Sequence, residues 1–325
     1  MSATAQDSRL IRISREMLLG GLTQETIPGW ALDRATGLLE EDALRAGHAL
    51  YSRGDAADFV AFIRDGRFEA VAPDGPPWRF EGSWVVGIFD ALMERSHTRS
   101  IRLSSDAHVL RIRTDAWLEL LEDCFELTYS LLLRAVQTTA DLEERLEAKH
   151  PPAAVAPVDR LTWEAAPLGL VERLALLVEV PLLRGAGVQT LTDLAAHAEE
   201  HRFETGQLVL ERGKARDRQL LVVAGEVVGA REKSERVRRY GAGDVVLGTA
   251  AFGPTSQAWE ARTAAPTRVL SFAERDWLEL MEQHFDIARS AFAWVGNERE
   301  RLLNALAADG EWTYRLEPGS PAGEV

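Results

Sequence analysis

The chain has 325 residues, 46% of them hydrophobic and 27% charged, a composition typical of globular proteins and a length that accommodates two separate cores. Its formal net charge of -14 and pI near 5.1 set its surface against nucleic-acid phosphates and acidic lipid headgroups, so neither nucleic acid nor membrane is an expected partner. A single cysteine, Cys124, excludes an internal disulfide and a multi-cysteine metal cluster, which suits a reducing cytosol, and no cofactor is implied.

Met1 to Ser14 mixes Asp7, Arg9 and Arg12 with small residues and lacks the apolar core of a secretory leader. Phe59 to Ile63 and Phe68 to Val71 read as strands flanking Asp65-Gly66, a pair that suits a tight hairpin turn. Thr114 to Lys149 contains no proline, spaces its apolar residues helically and pairs Asp141 with Arg145, so one long helix is expected, with Cys124 as a buried thiol. The prolines of His150-Pro151-Pro152-Ala153-Ala154-Val155-Ala156-Pro157 stop that helix and place a boundary between two domains, 1–150 and 151–325. A helix from about Leu168 to Val180 follows, ended by Pro181 and Gly185. Its apolar run is interrupted by Glu172, Arg173 and Glu179 and falls short of the ~18 residues of a membrane span, so a soluble cytoplasmic protein is expected.

His197-Ala198-Glu199-Glu200-His201 matches the H-x-x-E-H pattern of one zinc-peptidase class. Leu191, Leu194, Ala195 and Ala198 define the buried face of that helix and leave both histidines on its polar flank, with no third ligand in view. Leu220 to Val223 and Val227-Val228 then flank Ala224-Gly225, and Gly241-Ala242-Gly243-Asp244 reads as a turn before a strand. The one basic cluster, Lys233 to Arg239, lies at an expected hairpin tip and reads as a solvated turn. Glu274 to Ala307 is a second long helix, and the tail from Gly310, with Pro318-Gly319-Ser320-Pro321, reads as disordered.

The halves repeat. Trp117-Leu118-Glu119-Leu120-Leu121-Glu122 recurs as Trp277-Leu278-Glu279-Leu280-Met281-Glu282, an offset of 277 − 117 = 160. Gly47, Gly54, Asp58 and Gly66 match Gly206, Gly213, Asp217 and Gly225 at 159, and Gly82 and Gly87 match Gly243 and Gly248 at 161. A drift of only two positions across a domain identifies a whole-domain duplication of helix, strand block and long helix.

The run from Ala46 to Asp58, followed by Phe62-Ile63-Arg64-Asp65-Gly66, resembles the opening strands of the cyclic-nucleotide-binding domain, and Thr205 to Gly225 resembles a second copy. The resemblance implies an α+β protein of two tandem jelly-roll-like β-rolls flanked by helices. That architecture is shared by catabolite-activator-type regulators and protein kinase A regulatory subunits. In that family a phosphate-binding cassette opens with Gly-Glu-Leu-Ala and closes with Pro-Arg. Its glutamate accepts a hydrogen bond from the ribose, and its arginine pairs with the cyclic phosphate.

Here the first cassette runs from Gly87 to Ile101, with Ile88 where the glutamate stands in the family and His97 where the arginine stands. The second runs from Gly248 to Trp259, with Thr249 and Ser256 at those positions, followed by Gln257. Charge-assisted hydrogen bonds contribute about 1.5 to 3 kcal/mol each, so losing both anchors lowers affinity roughly a hundredfold to ten-thousandfold. Alternation along an extended strand puts Arg99 on the side of His97, next to Thr98, and is expected to restore one positive charge there. A weak anion or cyclic nucleotide is therefore expected in the first domain only.

No phosphate loop, dinucleotide fingerprint or Gly-x-Ser-x-Gly elbow is present, and no enzyme is expected. About 18 residues follow the second long helix, too few for a winged-helix output domain. The expected function is that of a regulatory or scaffolding protein that binds another protein, with ordinary cyclic-nucleotide binding lost. A sensor for a cyclic nucleotide or related anion is the alternative, and a zinc hydrolase the least favoured reading. The apolar residues Leu131, Leu132, Val136, Leu142, Leu146, Phe292, Val295, Leu302, Leu303 and Leu306 suggest that the long helices either pair across a homodimer or fold back onto their own barrels.

Overall fold

The computed structural model describes residues 27–149, 166–214, 217–231, 237–247, 259–310, 313–315 and 323–324. It groups the chain into two compact units, Met1–Thr138 with Gly296–Val325, and Thr139–Val295. In sequence the two repeats are divided by the proline-rich linker; in space, each of the two longest helices begins in one unit and ends in the other.

The first unit opens with α1 (Gly29–Gly37), which buries Ala31, Leu32 and Ala35. The strands β1 (Glu40–Leu44), β2 (Ala49–Tyr51), β3 (Phe59–Val71), β4 (Trp78–Val86), β5 (Ser100–Leu103) and β6 (Ala107–Arg113) form its roll, with the short helix α2 (Ile88–Leu92) between β4 and β5. β3 is the spine. Its first half pairs with β6, which pairs with β1, and its second half pairs with β5, which pairs with β2. Val60, Phe62, Ile63, Phe68, Phe80 and Trp84 fill the core, and full burial of each such side chain contributes about 1.5–3 kcal/mol.

Asp65-Gly66 does not form the expected hairpin turn. β3 runs through it, with Ile63 opposite Trp84 and Gly66 opposite Gly82, so β3 holds one more residue than β4 across this interval. Asp65 takes φ 47, and the result is a β-bulge. Asp-Gly supplies the positive φ that a hairpin needs, but a bulge needs it too. The bulge lets one strand serve both sheets of the roll.

The second unit repeats this plan. After α5 (Leu170–Glu179), a 3-10 turn (Pro181–Leu183) and α6 (Val188–His197) come β7 (Glu199–Phe203), β8 (Leu208–Leu210), β9 (Arg218–Ala224), β10 (Val227–Arg231), β11 (Val237–Tyr240), β12 (Trp259–Thr263) and β13 (Thr267–Ala273). The sheet β7-β13-β9 copies β1-β6-β3, and β11-β10-β12-β8 copies the other face. Ala224-Gly225 is likewise no hairpin turn; it carries the chain from one sheet to the other.

Each expected long helix is two helices. α3 (Thr114–Asp123) is separated from α4 (Phe125–Lys149) by Cys124, and α7 (Glu274–Gln283) from α8 (Phe285–Ala308) by His284. The two breaks have the same backbone, φ -131, ψ 90 at Cys124 and φ -132, ψ 89 at His284. α3 starts where the Thr114 N–H donates to Asp58 O at 2.9 Å, and α7 where the Glu274 N–H donates to Asp217 O at 2.8 Å. The two repeats thus start this helix with the same contact, made by the backbone carbonyl of the repeated aspartate.

Leu131, Leu132, Val136, Leu142, Phe292, Val295, Leu302, Leu303 and Leu306 are buried within the single chain, and Leu146 is half-buried. The apolar surface expected to pair across a homodimer is thus already covered. The tail is not wholly irregular: β14 (Thr313–Arg315) and β15 (Gly323–Glu324) both pair parallel with β4. Tyr314 is buried with its ring centroid 4.9 Å from that of Trp84. Among the described residues, no helix is long and apolar enough to cross a membrane.

Candidate functional site

The first cassette is built from the turn at Gly87, α2 and the loop that leads into β5. Gly87 takes φ 84, and a Cβ there would lie 3.3 Å from both His97 Cε1 and Phe59 O. Only glycine meets both demands at low cost. Ile88, at the family's glutamate position, is buried and presents an apolar wall.

His97 is fully enclosed. Its Nδ1 lies 3.1 Å from Asp90 Oδ2, its ring stacks on Tyr51 with centroids 3.5 Å apart, and its Nε2 is buried with no partner among the described residues. Asp90 also accepts from Arg95 Nε at 2.7 Å. Burial alone would raise the Asp90 carboxyl, but the hydrogen bonds from His97 and Arg95 outweigh it and hold the group below its ordinary value. Burial, aided by the Asp90 charge, pushes the Tyr51 phenol well above its ordinary value.

Arg99 does not stand beside His97. β5 begins only at Ser100, so strand alternation does not govern residues 97–99. The Arg99 guanidinium instead lies over the Trp78 ring, 3.6 Å from its centroid, and donates to Ala70 O, Pro76 O and, at 2.7 Å, Asn304 Oδ1. Trp78 Nε1 donates to the same Asn304 oxygen at 3.1 Å. Burial lowers the Arg99 pKa, opposed by the charge of Glu300.

Between these groups lies a cavity of about 50 Å³. The roll contributes Tyr51, Ala70, Trp78 and Ile101, and the cassette Phe89, Asp90, Arg95, Thr98 and Arg99. The second half of α8 closes it with Gly296, Arg299, Glu300 and Leu303. A Cβ on Gly296 would lie 2.8 Å from Phe89 Cδ1 and 2.7 Å from Met93 Cε, so this glycine is what lets α8 sit against the cassette. The Thr98 hydroxyl faces Glu300 Oε1 at 3.4 Å, and Arg95 Nη2 is 3.5 Å from Glu300 Oε2.

Thr98 and Arg99, predicted from the sequence, therefore line the cavity, whereas His97 and Ile88 are sealed behind it. Arg95, Tyr51, Trp78, Glu300 and Asn304 were not anticipated. The last two come from about two hundred positions downstream, and no local pattern marks them.

Gly248, Thr249, Ser256 and Gln257 of the second cassette lie outside the described residues. In the second unit, Arg238 lies over Trp259 with its Cζ 4.7 Å from the ring centroid, and pairs with Glu143 at 2.6 Å and Glu147 at 3.4 Å. Arg262 is held by Glu260 at 2.8 Å.

The H-x-x-E-H motif does not lie on one helix. α6 ends at His197, Ala198 is extended, and Glu199–Phe203 is β7. His197 Nδ1 meets Asp193 O at 2.7 Å, His201 Nε2 meets Ser271 Oγ at 2.8 Å, and Glu200 binds Arg268. Among the described residues, no group of three or more His, Cys, Asp or Glu side chains is arranged to hold a metal.

The family described as cyclic nucleotide-binding domain matches residues 41–124, from β1 to the break after α3, so the first repeat carries that domain. No curated protein matches the chain. Solved structures similar to it include the regulatory domain of Toxoplasma gondii PKA with cAMP, 15% identical over 86% of this chain and 94% of that one, with a TM-score of 0.32. The regulatory subunit of a cAMP-independent protein kinase A from Trypanosoma brucei is 11% identical over 88% and 91%, with a TM-score of 0.35. A cyclic nucleotide-binding-like protein from Brucella abortus is 23% identical over 34% and 98%, with a TM-score of 0.30.

Proposed function

We propose that this is a non-enzymatic, cytoplasmic regulatory or scaffolding protein that acts by binding another protein, and that its first domain no longer senses cyclic nucleotides in the ordinary way. The environment of His97 carries this reading. At the position of the family's phosphate-binding arginine stands a side chain bonded to Asp90, stacked on Tyr51 and walled off from the cavity. Ile88 offers no acceptor to a ribose hydroxyl. The cavity of about 50 Å³ has room for a few waters.

Calorimetric titration of the intact chain with cyclic AMP and cyclic GMP tests this. Affinity at least about a hundredfold below that of a binder with both anchors is expected, and submicromolar binding of either nucleotide overturns the proposal. The alternative, a sensor for a compact anion in the first domain, draws on the arginines that line the cavity, Arg95, Arg99 and Arg299.

A further inference from the structure

We propose that Glu300 is the resident anion of the first cassette, filling a site on Arg95 and Thr98 that takes a compact oxyanion, carboxylate or phosphate, when Glu300 is displaced. The inference rests on the reading of this cassette as a pocket reworked away from nucleotides.

The site is preorganised on the cassette side. Asp90 holds Arg95 through its Nε at 2.7 Å, which fixes the guanidinium and leaves Nη2 directed at Glu300, 3.5 Å away. The Thr98 backbone N–H reaches the same aspartate at 3.4 Å, and its hydroxyl faces the other Glu300 oxygen at 3.4 Å. A planar cation and a hydroxyl that converge on one carboxylate form a recognition unit for any oxyanion of that size. Arg99 adds a fixed positive charge on the same wall, and Glu300 acts on it electrostatically.

On the helix side the contact is replaceable. Both approaches to Glu300 are at the long end of hydrogen bonding. Arg95 and Glu300 side chains are 31% and 28% exposed, so a solvent ion can reach the corner. Among the described residues, Arg95 is the only ion-pair partner of Glu300, while its helical neighbour Arg301 pairs with Glu298. The chain thus supplies its own competitor from α8.

Calorimetry of the intact chain with inorganic phosphate, and separately with acetate, provides the test. Glu300→Gln keeps the side-chain shape and removes the charge, and Glu300→Ala empties the position; circular dichroism and thermal melts show which variants are folded. Affinity for phosphate or acetate is expected to rise on the order of tenfold in the Glu300 variants, and the gain is expected to vanish when Arg95→Ala is added. A gain with either ion supports the site and assigns its oxyanion. Unchanged affinity for both ions in a folded Glu300 variant overturns the inference, and so does a gain that survives Arg95→Ala. Submicromolar cyclic AMP binding by the wild type instead overturns the proposed function, and leaves the comparison of phosphate and acetate affinities between variants intact.

Discussion

Arg99 stacks on Trp78, and the second repeat makes the same contact with the partners exchanged, Arg238 on Trp259. Strand register establishes the equivalence. Trp78 stands opposite Ala70 on β3 as Arg238 stands opposite Gly229 on β10. Arg99 immediately precedes Ser100, which pairs with Val71, and Trp259 precedes Glu260, which pairs with Ala230. The offset is 160 for both members, 238 − 78 and 259 − 99. The cation–π contact has therefore been kept while its two residues changed places.

A double-mutant cycle on Arg99→Met and Trp78→Leu measures that contact in the first unit. Coupling of about 0.5–2 kcal/mol is expected in denaturant unfolding. Strictly additive losses would mean that the two side chains stabilise the fold independently, coupled neither by the stacking nor by their shared acceptor Asn304.

Gly296→Ala tests the seating of α8 on the cassette. Alanine favours a helix over glycine by about 1 kcal/mol, but its Cβ meets the Phe89 ring at 2.8 Å. Overpacking of this kind costs about 1–3 kcal/mol. Net destabilisation is expected, together with a changed environment for Phe89 in side-chain NMR. A more stable variant with an unchanged Phe89 spectrum would contradict the close approach.

Stability at low pH should depend on Glu200. Hydrogen bonding from Arg268 is the main cause that holds its carboxyl at about 2, against 4.5 for the free group. Because the folded-state value is the lower one, the unfolded chain takes the proton first. The contribution is complete above 4.5 and is lost as pH falls toward about 2. Asp90 titrates in the same sense, so the comparison of wild type with Arg268→Met isolates the pair. The variant should lose less stability than wild type between pH 4.5 and about 2, as read from urea midpoints; equal losses would refute the assignment.

Tyr314→Ala should cost about 3–5 kcal/mol, as for other buried aromatic side chains. The ring is 2% exposed and packs on Trp84 where β14 covers the edge of β4. A loss below about 1 kcal/mol, the size expected of a surface substitution, would show that the tail does not contribute to the core.

By itself the sequence determined the duplication, the α+β class and the strand blocks. Those features rest on local chemistry: glycines at positive φ, alternating apolar residues, and the Trp-Leu-Glu-Leu run repeated 160 positions on. Packing decided the rest. Asp65-Gly66 suits a hairpin and a bulge equally, and only the partners of β3 on both sides choose the bulge. The breaks at Cys124 and His284 last one residue each, too short to disturb a helical pattern that resumes at once. His97 and Arg99 are two positions apart, yet one is drawn to Asp90 and Tyr51 and the other to Trp78 and Asn304. Glu300 reaches Arg95 because α8 ends within the first unit, a contact across 205 positions set by the burial of apolar surface and by the space left at Gly296.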